Sequence, residues 1–186
     1  EYDDDWSFDS DSIIGLHLQG DIAPHWSVTT QIVAQGYHTD TTDRYKPEVD
    51  WLFLSYQWSP EVRLRLGRMR TPHYLYSETV GAGYSYPWVR PPNEVYTFFL
   101  SPFYNFDGAD LTWNGDIGNL GLDVQIFGGS MKGDYAGNDI KAEPVGGTNI
   151  TLWGEEWLLR YGLVINTTDI SNPDWKPYED YYRQIA

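Results

Sequence analysis

The stretch Leu52-Phe53-Leu54-Ser55-Tyr56-Gln57-Trp58-Ser59-Pro60-Glu61-Val62-Arg63-Leu64-Arg65-Leu66 decides the fold class. Leu52, Leu54, Tyr56 and Trp58 alternate with Ser55 and Gln57, and Leu64 and Leu66 alternate with Arg63 and Arg65. A period of two belongs to a β-strand, whose successive side chains point to opposite faces. The break Ser59-Pro60-Glu61 is short enough to join two antiparallel strands. Arg63 and Arg65 share a face with no apolar company. On a lipid-facing surface each would cost about 2–4 kcal/mol near the midplane, so both are expected to point into a lumen.

The same period recurs on either side. Ile14, Leu16 and Leu18 alternate with His17, Gln19 and Asp21; Val28, Thr30, Ile32 and Ala34 alternate with Ser27, Thr29 and Gln31. Further on, Ala109, Leu111 and Trp113 face away from Asp110 and Thr112, and Leu120, Leu122, Val124 and Ile126 oppose Asp123 and Gln125. A shorter strand covers Asn149 to Trp153, and Trp157, Leu159, Tyr161, Leu163 and Ile165 oppose Arg160. Eight candidate strands result.

Alternation alone fits a soluble sandwich as well as a membrane barrel. Two further signals favour the barrel. Trp26, Trp58, Trp113 and Trp157 each lie beside a short connection, where the aromatic girdle of a transmembrane barrel sits. The connections Ala23–His25, Ser59–Glu61, Asn114–Asn119 and Gly154–Glu156 are short. Those at 38–48, 71–103 and 129–148 are long, as is the tail from 167. Short and long alternate, as periplasmic turns and extracellular loops do. On that parity Glu1 and Ala186 both fall on the extracellular side. The expectation is an internal piece, residues 1–186 forming one segment of a roughly 16-stranded barrel wide enough to leave an aqueous channel.

Composition agrees. The formal net charge is −15, from 27 acidic and 12 basic residues, which argues against binding nucleic acid through its phosphates. Such acidity signals disorder when aromatics are scarce, but here they make up 17% of the chain, with 9 Trp and 15 Tyr. Cysteine is absent, so disulfide and thiolate chemistry are excluded. No apolar run approaches the length of a membrane helix; Arg160 interrupts the most apolar stretch. The histidines at 17, 25, 38 and 73 lack ligand spacing, and Asp3 to Asp11 lack the order of a calcium loop. No nucleophile elbow is present, so an enzyme is not expected and no cofactor is called for.

The run Leu66-Gly67-Arg68-Met69-Arg70-Thr71-Pro72, followed by Gly83-Tyr84-Ser85-Tyr86-Pro87-Trp88-Val89-Arg90-Pro91-Pro92-Asn93-Glu94-Val95-Tyr96, resembles porin-type outer-membrane proteins of marine and other gammaproteobacteria. Trp6 to Ser12 is similar to the lead-in to their second strand. The likeness spans most of the chain and is sharpest over 51–108. It implies an antiparallel, multi-stranded β-barrel in the bacterial outer membrane, of which this chain would be the N-terminal half without a first strand. It brings no substrate.

The candidate site follows. Arg63, Arg65 and Arg160 would form a basic wall, with Asp110 and Asp123 as an acidic wall facing it. Arg68 and Arg70 fall in the opposite phase. They join the pore lining if a bulge at Gly67 resets the alternation; otherwise the strand has left the membrane by Arg68. The proline- and aromatic-rich loop 71–103 is no membrane strand. Folded back into the lumen, it would set a constriction with Tyr84, Tyr86, Trp88, Arg90 and Glu94. The function so implied is passive diffusion of small solutes or ions. Outer-membrane lipid, including lipopolysaccharide, would surround the wall, and a homo-oligomer is compatible with it. A non-conducting scaffold or adhesin, and a soluble carbohydrate-binding sandwich, are the alternatives. The overall acidity argues for cation preference at the mouth, and the inner arginines argue the other way.

Overall fold

A computed structural model describes residues 12–36, 45–79, 87–88, 92–96, 104–135 and 138–171. They form an all-β structure of eight antiparallel strands in one sheet, each strand beside its neighbours in sequence. The strands are β1 (Ile13–Ala23), β2 (Trp26–Gln35), β3 (Glu48–Gln57), β4 (Val62–Arg70), β5 (Asn105–Ile117), β6 (Leu120–Tyr135), β7 (Asn138–Trp153) and β8 (Leu158–Ser171). A single 3₁₀ turn (Ser77–Thr79) and one helical turn (Asn93–Tyr96) lie between β4 and β5. Strands β1 and β8 are the two edges; the sheet does not close into a barrel.

Each expected strand is present, and the register fixes its faces. One cross-strand row reads Leu54, Leu66, Ala109, Gly128, Gly146 and Ile165 from β3 to β8. The adjacent row on the other face reads Ser55, Arg65, Asp110, Phe127, Gly147 and Val164. Alternation along each strand therefore adds up to one apolar and one polar face for the whole sheet.

The apolar face is open. Leu16, Leu52, Leu66, Leu111, Ile126, Leu159, Leu163 and Ile165 are all exposed, Ile126 at 57%. Among the described residues no second layer covers it. A sheet normally buries its apolar face against another element, and a monomer in water rarely leaves so large a patch bare.

The short-turn end carries the aromatic band. Trp26 packs on Tyr56 with ring centroids 4.6 Å apart, and Tyr56 meets Trp58 edge-on at 6.2 Å. Trp58 is 76% exposed. Trp113 and Trp157 lie over Gly115 and Gly154, where a Cβ would overlap their rings. The connections themselves are tight. His25 takes φ 68° in the first, and Gly118 takes φ 62° in the third, which shrinks from the expected 114–119 to the pair Gly118-Asn119.

The stretch 129–148 differs from expectation. It is not a long loop: β6 and β7 run on through it and stay paired to Tyr135 and Asn138. Its glycines and its charges read as loop in the sequence, but cross-strand pairing holds them extended. Likewise β8 continues beyond residue 167 to Ser171, opposite Asp139. The strands β6 to β8 thus rise past the upper end of β5.

Gly67 is not a bulge. Strand β4 pairs residue by residue with β3 and β5 through it. Its φ is +136°, and a Cβ there would overlap the Leu52 carbonyl oxygen, so glycine is needed for close approach. A register shift falls instead between β2 and β3, where Gln31 opposes Trp51 and Ile32 opposes Val49; Asp50 is the extra residue.

Candidate functional site

The site is the polar face of β3 to β8 together with the segment that follows β4. Arg65 and Asp110 stand opposite each other on β4 and β5. The Arg65 Nε donates to both Asp110 carboxylate oxygens at 2.9 and 3.1 Å, and an Nη of the same guanidinium also bonds that carboxylate. The Asp110 carboxylate accepts the Gln125 amide at 2.7 Å, and the Gln125 carbonyl oxygen accepts the Asn149 amide at 3.1 Å. A continuous chain of hydrogen bonds thus crosses β4, β5, β6 and β7. The Arg65 guanidinium also lies 5.3 Å from the centroid of the Phe53 ring. Most of the buried polar groups find partners within the network; the Asn149 side-chain oxygen, at its end, has none.

The segment after β4 lies against this face. Glu78, in the 3₁₀ turn, accepts an Arg65 Nη at 2.8 Å. The Pro72 carbonyl accepts Arg160 of β8 at 3.2 Å. A Cβ placed on Gly162 of β8 would come within 3.4 Å of the His73 carbonyl and 2.8 Å of Asn149 Oδ1. Residues 72–78 therefore bridge β4 to β8 over the polar face. Burial pushes the His73 imidazole below its usual pKa. Tyr74 and Tyr76 pack edge-on or tilted against Tyr96, at 5.8 and 6.5 Å.

A second group sits nearer the upper end of β4. The Arg70 Nε donates to Asp50 at 2.8 and 3.1 Å. Asp50 also accepts Gln31 at 3.0 Å, and the Gln31 side-chain oxygen is 3.1 Å from His17 Nδ1. The Asn105 amide donates to the Asp50 backbone carbonyl at 2.6 Å. Asp50 is the extra residue of the β2–β3 pairing, and the β3–β4 register, continued beyond Leu52 and Arg68, brings it opposite Arg70. Beside it an apolar cluster of Met69, Phe106, Phe127, Met131, Ala142 and Val145 fills the upper part of the polar-phase face.

The expected wall residues separate into distinct settings. Arg63, Arg65, Asp110, Asp123 and Arg160 all lie in the polar phase. Arg63 is exposed, and Asp123 accepts the Asn114 amide. Arg160 donates to Thr151 at 3.1 Å in addition to Pro72. Arg68 is a correction. It pairs with Leu52 in the apolar phase, since no bulge resets β4, and is bound there by Asp107 through two hydrogen bonds of 2.8 Å. It lines no polar face. Arg70 begins in the same phase but reaches Asp50.

Of the expected constriction residues, Tyr84, Tyr86 and Arg90 lie outside the described residues, as does the Glu94 side chain. Trp88 is described, exposed, and edge-on to Tyr76 at 5.7 Å. Sequence reasoning did not single out Glu78, Asp50, Gln125 or Asn149. The two amides stood in the polar phase and were legible as lining. Glu78 lies outside any periodic stretch and carried no signal.

The chain matches no known family model and no curated protein. No helix among the described residues is long and apolar enough to cross a membrane, which says nothing of crossing by strands. No group of three or more metal-ligating side chains is brought together among the described residues.

Proposed function

We propose that this chain forms part of the wall of an outer-membrane β-barrel that conducts small solutes or ions by passive diffusion. The observation that carries the reading is the bare apolar face spanning all eight strands, with the ion-paired network on the opposite face. Lipid satisfies the first and an aqueous interior the second. Strands of 9 to 16 residues are long enough to cross a bilayer when tilted, which takes about 9–11. The aromatic band at the short-turn end fits an interface girdle. The resemblance of residues 51–108 to porin-type proteins points the same way. Lipid, lipopolysaccharide included, is the proposed partner of the outer face.

Incorporation of the purified intact protein into planar bilayers tests this. Discrete conductance steps are expected. Extraction as a monodisperse protein without detergent, together with no steps, would leave the soluble carbohydrate-binding reading in its place. Detergent dependence without steps would favour a surface scaffold.

A further inference from the structure

The charges on the polar face are unevenly committed, and we propose that the passage it lines prefers cationic solutes, with Glu78 as the residue that sets the preference. The inference rests on the channel reading above and deepens it.

The arginine at the centre of the expected basic wall is neutralised within it. Arg65 is bound by two carboxylates. Asp110 has no exposed side-chain surface and neutralises the guanidinium within the wall. Glu78 is the exposed member of this group, its side chain 41% accessible against 10% for Arg65. The group a passing solute meets at this point is the carboxylate, not the guanidinium. Arg70 is held likewise by Asp50, both almost fully covered. Arg160 donates its two Nη groups to uncharged acceptors, the Thr151 hydroxyl and the Pro72 carbonyl, and keeps its charge, with Glu78 and Asp123 near enough to offset it. Arg63 is exposed, and Asp123 lies close enough to interact with it electrostatically.

The short-turn mouth adds to this imbalance. Asp21, Glu61, Asp116, Glu155 and Glu156 are all exposed there. None of the four short connections contains a lysine or arginine. A mouth of one sign concentrates counter-ions, and fixed charge beside a low-dielectric wall acts on an ion more strongly than in bulk water. Glu78 stands on the segment that crosses the face between Arg65 and Arg160, where the passage is narrowed. Cations such as potassium or protonated amines are drawn past it, and anions are repelled.

Reversal potentials of the intact protein under a potassium chloride gradient test the inference. Wild type should favour potassium. Glu78→Gln should lower the potassium-to-chloride permeability ratio by about threefold, and Glu78→Asp should keep it. Arg63→Gln should raise the ratio, which keeps the idea testable if Glu78→Gln does not insert. A conducting wild type that favours chloride would overturn the charge assignment. So would Glu78→Gln conducting with an unchanged ratio. Both outcomes would leave the channel reading standing. A folded, inserted protein with no conductance would instead remove the channel reading, and this inference with it.

Discussion

Arg65 and Asp110 meet across β4 and β5 as a side-on pair, and both side chains are buried in the polar face. The pair joins the middle of the wall to the segment above it, because Glu78 uses the same guanidinium. A buried pair costs desolvation of both ions and is stabilised by its geometry and by added hydrogen bonds, here from Gln125.

The losses from removing each partner should therefore not add. Arg65→Met or Asp110→Leu alone should destabilise the protein by about 3–5 kcal/mol, whereas the double substitution should cost clearly less than the two singles together. Urea unfolding in micelles, followed by tryptophan fluorescence, measures the coupling. Additive losses would show that the two charges do not act as a pair.

The open apolar face makes an opposite prediction for a residue that touches nothing buried. Ile126 is 57% exposed, between Leu111 and Thr148. In water Ile126→Arg would be nearly neutral, but on a lipid-facing surface it should cost about 2–4 kcal/mol. Refolding equilibria in lipid vesicles distinguish the two. A loss below about 0.5 kcal/mol, usual for surface substitutions, would speak against lipid contact.

Gly67 should not tolerate a side chain. Its φ of +136° and its contact with the Leu52 carbonyl leave no space for a Cβ. Gly67→Ala should destabilise by about 1–3 kcal/mol through backbone strain, read from the urea midpoint. Gly20 serves as the comparison, since nothing lies within 4 Å of a Cβ placed there.

Packing of residues 72–78 should weaken in acid. Burial lowers the His73 pKa below its usual 6.5, so the unfolded or detached segment binds the proton more readily. The contribution is fully present above pH 6.5 and is lost as pH falls through the depressed value. Limited proteolysis of this segment should accelerate below pH 6, and His73→Gln should flatten that dependence. An unchanged profile in His73→Gln would assign the acid sensitivity to the carboxylates.

Much of this sheet was legible in the sequence because period two is a local property. The faces of Leu64 and Arg65, or of Leu111 and Asp110, follow from the backbone alone. Where neighbouring strands decide, the sequence was mute. Gln31 opposes Trp51 and Ile32 opposes Val49, leaving Asp50 as an extra residue that no local pattern announced. Gly128-Gly129-Ser130 and Lys132-Gly133-Asp134 have loop composition, yet pairing with β7 carries them into strand. Arg68 shows the converse: its phase was clear, and the idea that Gly67 would reset it failed because the close approach to Leu52 needs a missing Cβ, not an extra residue.

The hydrogen bond from Arg160 to the Pro72 carbonyl joins residues 88 positions apart, whereas every strand pairing joins neighbours in the chain. Closing so long a span has a greater entropic cost than zipping a hairpin, and that cost must be met before the contact rewards it. Order of assembly follows from that difference. On that ground the hairpins are expected to form before the Arg160–Pro72 contact, which needs β8 in place. The crossing of residues 72–78 over the polar face is thus a contact that reports that β8 has joined the sheet.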